Sequence, residues 1–370
     1  MTRPVLALWP DRRNGPPARL SLLGRSVSGC KSQVETLCCR VVRWRVALSE
    51  SEEWAFPEAL QPNRDEVGFD LEAVQRAAVS VRATIPTDAF TAAGLGTERA
   101  GNGMVIEPGL VLTIGYLITE ASSVWLHAND GSVVEAYPMA YDQATGFGLV
   151  RALGQLNAEV VPRGSAATLG RADTVYVMGH GGRPHCLKAT LIDKREFAGY
   201  WEYLLDEALL TAPAHPEWGG AGLVNEDGCL VGIGSLLVHQ VLEGQELQGN
   251  MFVSIDLLEP ILESLLNTST SGMPPRPWLG MFTGDDEEPR VVTGLSNSGP
   301  AAAAGIRPGD QILEVDGNPV ETLPEMLRAI WGLGPAGVDV PLSIEREEQV
   351  LKCLVRSADR TDYLKKPVHH

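Results

Sequence analysis

HPEWGGAGLV, residues 215–224, is the stretch on which the reading of this chain turns. Four small residues in a row (Gly219, Gly220, Ala221, Gly222) feed a short apolar run, Leu223 and Val224. The acidic turn EDG at 226–228 follows, and CLVGI at 229–233 returns the chain. Glu-Asp-Gly supplies residues that accept a positive φ, so the segment reads as a tight loop leading into a β-hairpin. Small side chains on such a loop let other backbone come close. Gly219 stands first in this run of small residues.

The same texture extends on both sides. From residue 79 onward, apolar runs such as VSVRATI, GMVIEPGLVLTI, FGLVRAL and TVYVMG recur about every ten residues, divided by Gly, Asp, Asn and Pro. NDG at 129–131 is a second hairpin signal. Many evenly spaced strands predict an all-β barrel or sandwich pair. DLEAVQRAA at 70–78 has Leu71, Val74 and Ala78 at helical spacing, and IDLLEPILESLL at 255–266 predicts a closing helix that bends or restarts at Pro260. NTSTSGMPPRP, 267–277, has linker composition. A second unit follows at 278–358: strands, a helix at GPAAAAG, a helix at LPEMLRAI and a final strand pair.

Composition bounds the function. The 370 residues are 44% hydrophobic and 21% charged, with no apolar run of membrane-spanning length. A net charge of −17 disfavours nucleic acid or an anionic membrane as partner. Residues 1–50 run the other way, with nine basic side chains against three acidic ones. This Arg-rich head lacks the apolar core of a secretory signal and is read as disordered. The divisions are thus a basic head at 1–50, an N-terminal segment with a short helix at 51–78, the β domain at 79–266, a linker at 267–277, the second unit at 278–358 and a frayed tail at 359–370. The six cysteines show no zinc or disulfide spacing, so no cofactor or metal is expected, and reduced thiols favour the cytoplasm over the periplasm.

Several motifs together resemble one family. WLGM at 278–281 and GPAAAAGIRPGDQILEVDGNPV at 299–320 are similar to a PDZ domain. GNGMVIEPGLVLTIGYLI (101–118), NDGSVVEAYPMAYDQATGFGLVRA (129–152) and HPEWGGAGLVNEDGCLVGI (215–233) resemble the stretches that deliver histidine, aspartate and serine in the HtrA/Deg family of trypsin-like proteases. The resemblance implies a mostly β fold, a chymotrypsin/trypsin-like double β-barrel followed by an α+β PDZ domain. Carried over, the histidine position falls on Tyr116, the aspartate on Gly146 and the serine on Gly219, and the oxyanion loop holds Glu217 and Trp218.

A glycine offers no nucleophile and a phenol near pKa 10 is a poor base at neutral pH. The expectation from sequence is therefore not an enzyme but a pseudoprotease, working as scaffold, adaptor, chaperone-like or regulatory subunit. The alternatives are a hydrolase with a relocated site at Cys186, Cys229 or the histidines of GHGGRPHC (179–186), and a structural subunit of a larger complex. The resemblance implies that protein or peptide C-termini bind the PDZ loop Trp278, Leu279, Gly280 and Met281. Arg276 is a supporting charge, and Leu323, Met326, Leu327 and Ile330 lie on the groove helix, about half of them in the core. Trimers, by analogy through aromatics such as Trp54, Phe56 and Phe69, or a hetero-complex are the expected assemblies.

Overall fold

The computed structural model describes residues 6–8, 54–242, 245–284 and 290–366. Six strands close the first barrel in the order Ala78–Thr84, Glu98–Glu107, Leu110–Ile114, Phe147–Ala152, Val133–Tyr141 and Ser123–His127. Leu110–Ile114 is buried along its whole length, which is why its sequence is a continuous apolar run rather than an alternating one. The NDG turn makes the expected hairpin: His127 pairs with Val133, and Gly131 takes φ 85. Helix Leu71–Arg76 precedes the barrel, its N-terminus capped by the Asp70 side chain accepting from the Ala73 N–H.

In the second sheet the order is Leu6–Leu8, Leu230–Leu242, Gly222–Val224, Thr174–Met178, Cys186–Gly199, Tyr203–Ala212 and Gln245–Ser254. Pairing of Leu230–Leu242 with Gln245–Ser254 closes the last six into a ring. Of the basic head, Leu6–Leu8 is thus a strand, adding to an edge that Gly222–Val224 is too short to cover. The rest of the head lies outside the described residues. At the closing helix the chain restarts as expected: a 3₁₀ turn, Ile255–Leu257, precedes helix Glu259–Thr268, with Pro260 in the first turn where its missing N–H costs nothing.

The C-terminal unit pairs Met281–Thr283 with Val292–Leu295 and adds a sheet ordered Asn318–Pro319, Gln311–Val315, Asp339–Arg346, Gln349–Arg356. Helix Leu323–Gly332 starts at a reciprocal capping box between Thr322 and Glu325. This is the mostly β, double-barrel plus α+β architecture expected. Residues 285–289, which include the acidic run Asp285 to Glu288, lie outside the described residues. Residues 359–366 do not fray but run back over the first barrel. Arg360–Tyr363 is a 3₁₀ turn, the Tyr363 ring packs on Trp278 and Phe90, and the Lys365 N–H donates to Glu120 at 2.9 Å.

Trp54 and Phe56 pack on their own chain. Both rings stand edge-on to His215, at 5.5 and 5.2 Å, and Phe69 meets Tyr176 at 5.7 Å. His215 is wholly buried. Its Nδ1 accepts from the Glu217 N–H at 3.0 Å, so the ring proton sits on Nε2 and is donated to the His185 carbonyl at 2.9 Å. Its backbone is clamped twice by Asn250. Burial pushes its pKa down to about 4. An imidazole neutral in the fold and protonated near 6.5 when unfolded favours folding fully above 6.5. That contribution falls away between pH 6.5 and 4 at up to about 1.4 kcal/mol per unit. His215→Gln is expected to reduce the loss of unfolding free energy between pH 7 and 5 relative to wild type; equal losses in urea titrations would contradict this.

Candidate functional site

The three positions singled out from sequence do come together between the barrels. Tyr116 lies in the 3₁₀ turn Gly115–Leu117 and donates its hydroxyl to the Ser235 carbonyl at 3.0 Å. Burial raises its pKa above the ordinary phenol value, and the nearby Trp218 indole N–H, which makes no full hydrogen bond, offsets this slightly. A Cβ placed on Gly219 would stand 2.7 Å from the Tyr116 hydroxyl. The phenol therefore occupies the space a side chain at 219 would need. Gly146 has φ +83, and a Cβ there would stand 3.1 Å from the Tyr203 hydroxyl, which donates to the Thr145 carbonyl at 2.6 Å. A cavity of about 50 Å³ remains, with Tyr116, Gly146, Tyr203 and Arg360 in its lining.

A buried charge network holds this arrangement. Arg99 donates to the carbonyls of Tyr116 and Thr119 at 2.6 and 3.1 Å and to the Thr91 hydroxyl at 2.7 Å. The Glu120 carboxylate collects the N–H groups of Phe90, Thr91 and Lys365 together with that hydroxyl. These bonds hold its pKa low against the upward push of burial. Arg360 closes the rim by donating to Gln143 at 2.5 Å. Sequence reasoning missed Arg99 and Glu120; buried charges 21 positions apart carry no local signature.

In the loop itself, Asn102 donates to the Glu217 carbonyl at 2.8 Å, while the Glu217 N–H points to His215. Trp218 is buried and presents no exposed aromatic surface. Of the GHGGRPHC loop, the His185 carbonyl meets His215 Nε2 at 2.9 Å, and the Cys186 thiol bonds within the loop. Burial pushes the Cys186 thiol up to about 12, and Sγ donates to the Gly182 carbonyl at 3.3 Å. Burial likewise raises Cys229. Among the described residues no cluster of three or more His, Cys, Asp or Glu could hold a metal.

The PDZ-like loop carries the other candidate site. Gly280 has φ +75, which turns successive amide N–H groups to one side and makes a small anion nest. One carboxylate fills it: Glu202, from the turn between Cys186–Gly199 and Tyr203–Ala212. Its oxygens accept from Leu279 at 2.9 Å, Gly280 at 2.6 Å and Met281 at 2.9 Å. Burial pushes this carboxyl up to about 7, against the downward pull of the three N–H donors and Arg360. Trp278 pairs with Ala358 through two 3.0 Å backbone bonds. Arg276 stacks over the Trp331 ring at 4.2 Å instead of facing the nest. Leu323, Met326, Leu327 and Ile330 are all buried, in a cluster that also takes in Leu204 from the second barrel.

The fit of Tyr116 to Gly219 generates a test. Gly219→Ala is expected to cost about 1–3 kcal/mol by overpacking. The cost should shrink by at least about 0.5 kcal/mol in a Tyr116→Phe background, where the clashing atom is gone. Additive losses in a urea-unfolding cycle would contradict the contact.

Residues 101–233 match the family model described as a trypsin-like peptidase domain, and 277–356 match that of a PDZ domain. A probable periplasmic serine endoprotease, DegP-like, of Halomonas elongata is 25% identical over 71% of this chain and 57% of its own length. The serine endoprotease DegS of Escherichia coli is 25% identical over 68% of this chain and 74% of its own. Against the first of these the chain spans just over half of the relative's length. A solved serine endoprotease from Yersinia pestis is 23% identical, covers 80% of this chain and 99% of its own, and superposes with a TM-score of 0.48. These names correct the expectation that the chain is not an enzyme: the relatives it matches are serine endoproteases. The chain thus carries a trypsin-like peptidase domain ahead of a PDZ domain and is similar in sequence to the DegP-like and DegS serine endoproteases.

Proposed function

We propose that this protein engages other proteins by their chain ends, the PDZ loop at 278–281 taking the terminal carboxylate and the paired barrels forming the body that carries it. In this role it acts as a scaffold, adaptor or chaperone-like subunit. The observation behind the reading is the nest of three N–H groups on Leu279, Gly280 and Met281, whose geometry suits one carboxylate, as its bonds to Glu202 illustrate. Charge-assisted bonds to backbone N–H groups are among the stronger polar contacts a ligand can make. The reading rests on the PDZ unit and is independent of any cleavage by the barrels.

Four of the curated relatives' names place those proteins in the periplasm. They give no support to the cytoplasmic location inferred from the free cysteines, and the periplasm is the better proposal. Among the described residues no helix is long and apolar enough to cross a membrane.

Fluorescence anisotropy of the full chain against a peptide panel, each member made with a free and an amidated C-terminus, tests the function. The free acids are expected to bind about ten-fold tighter or better. Equal affinity for acid and amide would overturn the reading.

A further inference from the structure

The carboxylate nest of this PDZ domain already holds a ligand, and it comes from the same chain. Three independent contacts put the turn at 200–204 where a bound peptide would lie. The Glu202 carboxylate takes all three N–H groups of the loop, at 2.6–2.9 Å. The Thr283 N–H, on the strand that follows the loop, donates to the Tyr200 carbonyl at 3.1 Å, as an added strand would accept it. Leu204 leaves the barrel core and joins the buried cluster of Leu279, Met281, Leu323 and Leu327. Outside the nest, Arg328 on helix Leu323–Gly332 pairs with Glu196 and Asp206 on the two strands that carry the turn.

Backbone geometry points the same way. Glu202 has φ 63, in the left-handed region that favours glycine over any residue with a Cβ. A glutamate in that conformation, with its carboxylate drawn out of water, is held by what the side chain binds and not by what the turn prefers.

We infer that the turn 200–204 is the resident pseudo-ligand of the PDZ groove, with Glu202 standing in for a chain-terminal carboxylate and Leu204 for the aliphatic side chain of a ligand. The inference rests on the reading of this loop as a peptide site. An external ligand must bring both chemistries, a carboxylate and an aliphatic side chain, and it binds by displacing the turn. The apparent affinity of the full chain is then the intrinsic affinity reduced by the fraction of molecules in which the groove is open.

The test uses the full chain as wild type, Glu202→Gly and Arg328→Ala. Glycine suits the φ of the turn, so the first variant removes the carboxylate while keeping the hairpin; Arg328 is a surface residue whose loss loosens the same contact without touching the nest. Melting curves confirm that each folds. Hydrogen exchange of the 279–281 amides reads the nest directly, and anisotropy reads a labelled aliphatic peptide with a free C-terminus. In Glu202→Gly the amides are expected to exchange about ten-fold faster or more, and the peptide to bind about ten-fold tighter, the gain for a groove closed in about nine molecules of ten. Arg328→Ala is expected to move both in the same direction by less. Unchanged exchange in both variants overturns the inference. Faster exchange with no peptide bound by any form upholds the internal ligand and overturns the peptide-binding function instead.

Discussion

Glu202 gives up its water, and everything about how the two halves of this molecule sit together follows from what replaces it. Moving an ionised carboxylate out of solvent costs several kcal/mol unless other donors take over. Here those donors are consecutive backbone N–H groups on a different domain, aimed at one point by the positive φ of Gly280. By composition alone, the polar, proline-containing stretch at 267–277 leaves many orientations of the two domains open. One carboxylate in one nest, with Leu204 in the adjacent apolar cluster and Arg328 bridging outside, selects a single one.

The tail extends the same logic on the other side. Strand Gln349–Arg356 ends the PDZ sheet, and the next residues cross to the first barrel, where Lys365 completes the donor set of Glu120 and Arg360 reaches Gln143. Glu120 and Arg99 support the 3₁₀ turn that carries Tyr116, so the tail of one domain helps to set the cleft of the other. The cleft is packed as a matched set. The phenol of Tyr116 fills what the absent side chain of Gly219 leaves open, and the Tyr203 hydroxyl lies against Gly146. Tyr203 is the immediate neighbour of Glu202, so adjacent residues of one turn touch the barrel cleft and the PDZ nest.

Local pattern carried the architecture. The NDG and EDG turns and the helices at 71–76, 259–268 and 323–332 were legible, because each depends on residues close in sequence. The three positions singled out through their flanking motifs, Tyr116, Gly146 and Gly219, are brought to one place in the structure. The partnerships were not. Glu202 meets residues nearly 80 positions later, in a turn whose sequence, GYWEY, reads only as aromatic. Nothing local to His215 signals that it is buried. Its burial depends on Trp54, Phe56, His185 and Asn250, four residues from three separate segments. The apolar periodicity of 323–330 marked a buried face but could not say how much of it the core would take.

A crystal structure of the full chain, grown without added peptide, tests the central claim most directly. The account predicts the Glu202 carboxylate within hydrogen-bonding distance of the Leu279, Gly280 and Met281 N–H groups, with the PDZ domain seated on the second barrel. A nest open to solvent, or filled by the C-terminus of another molecule while Glu202 points into water, would contradict it.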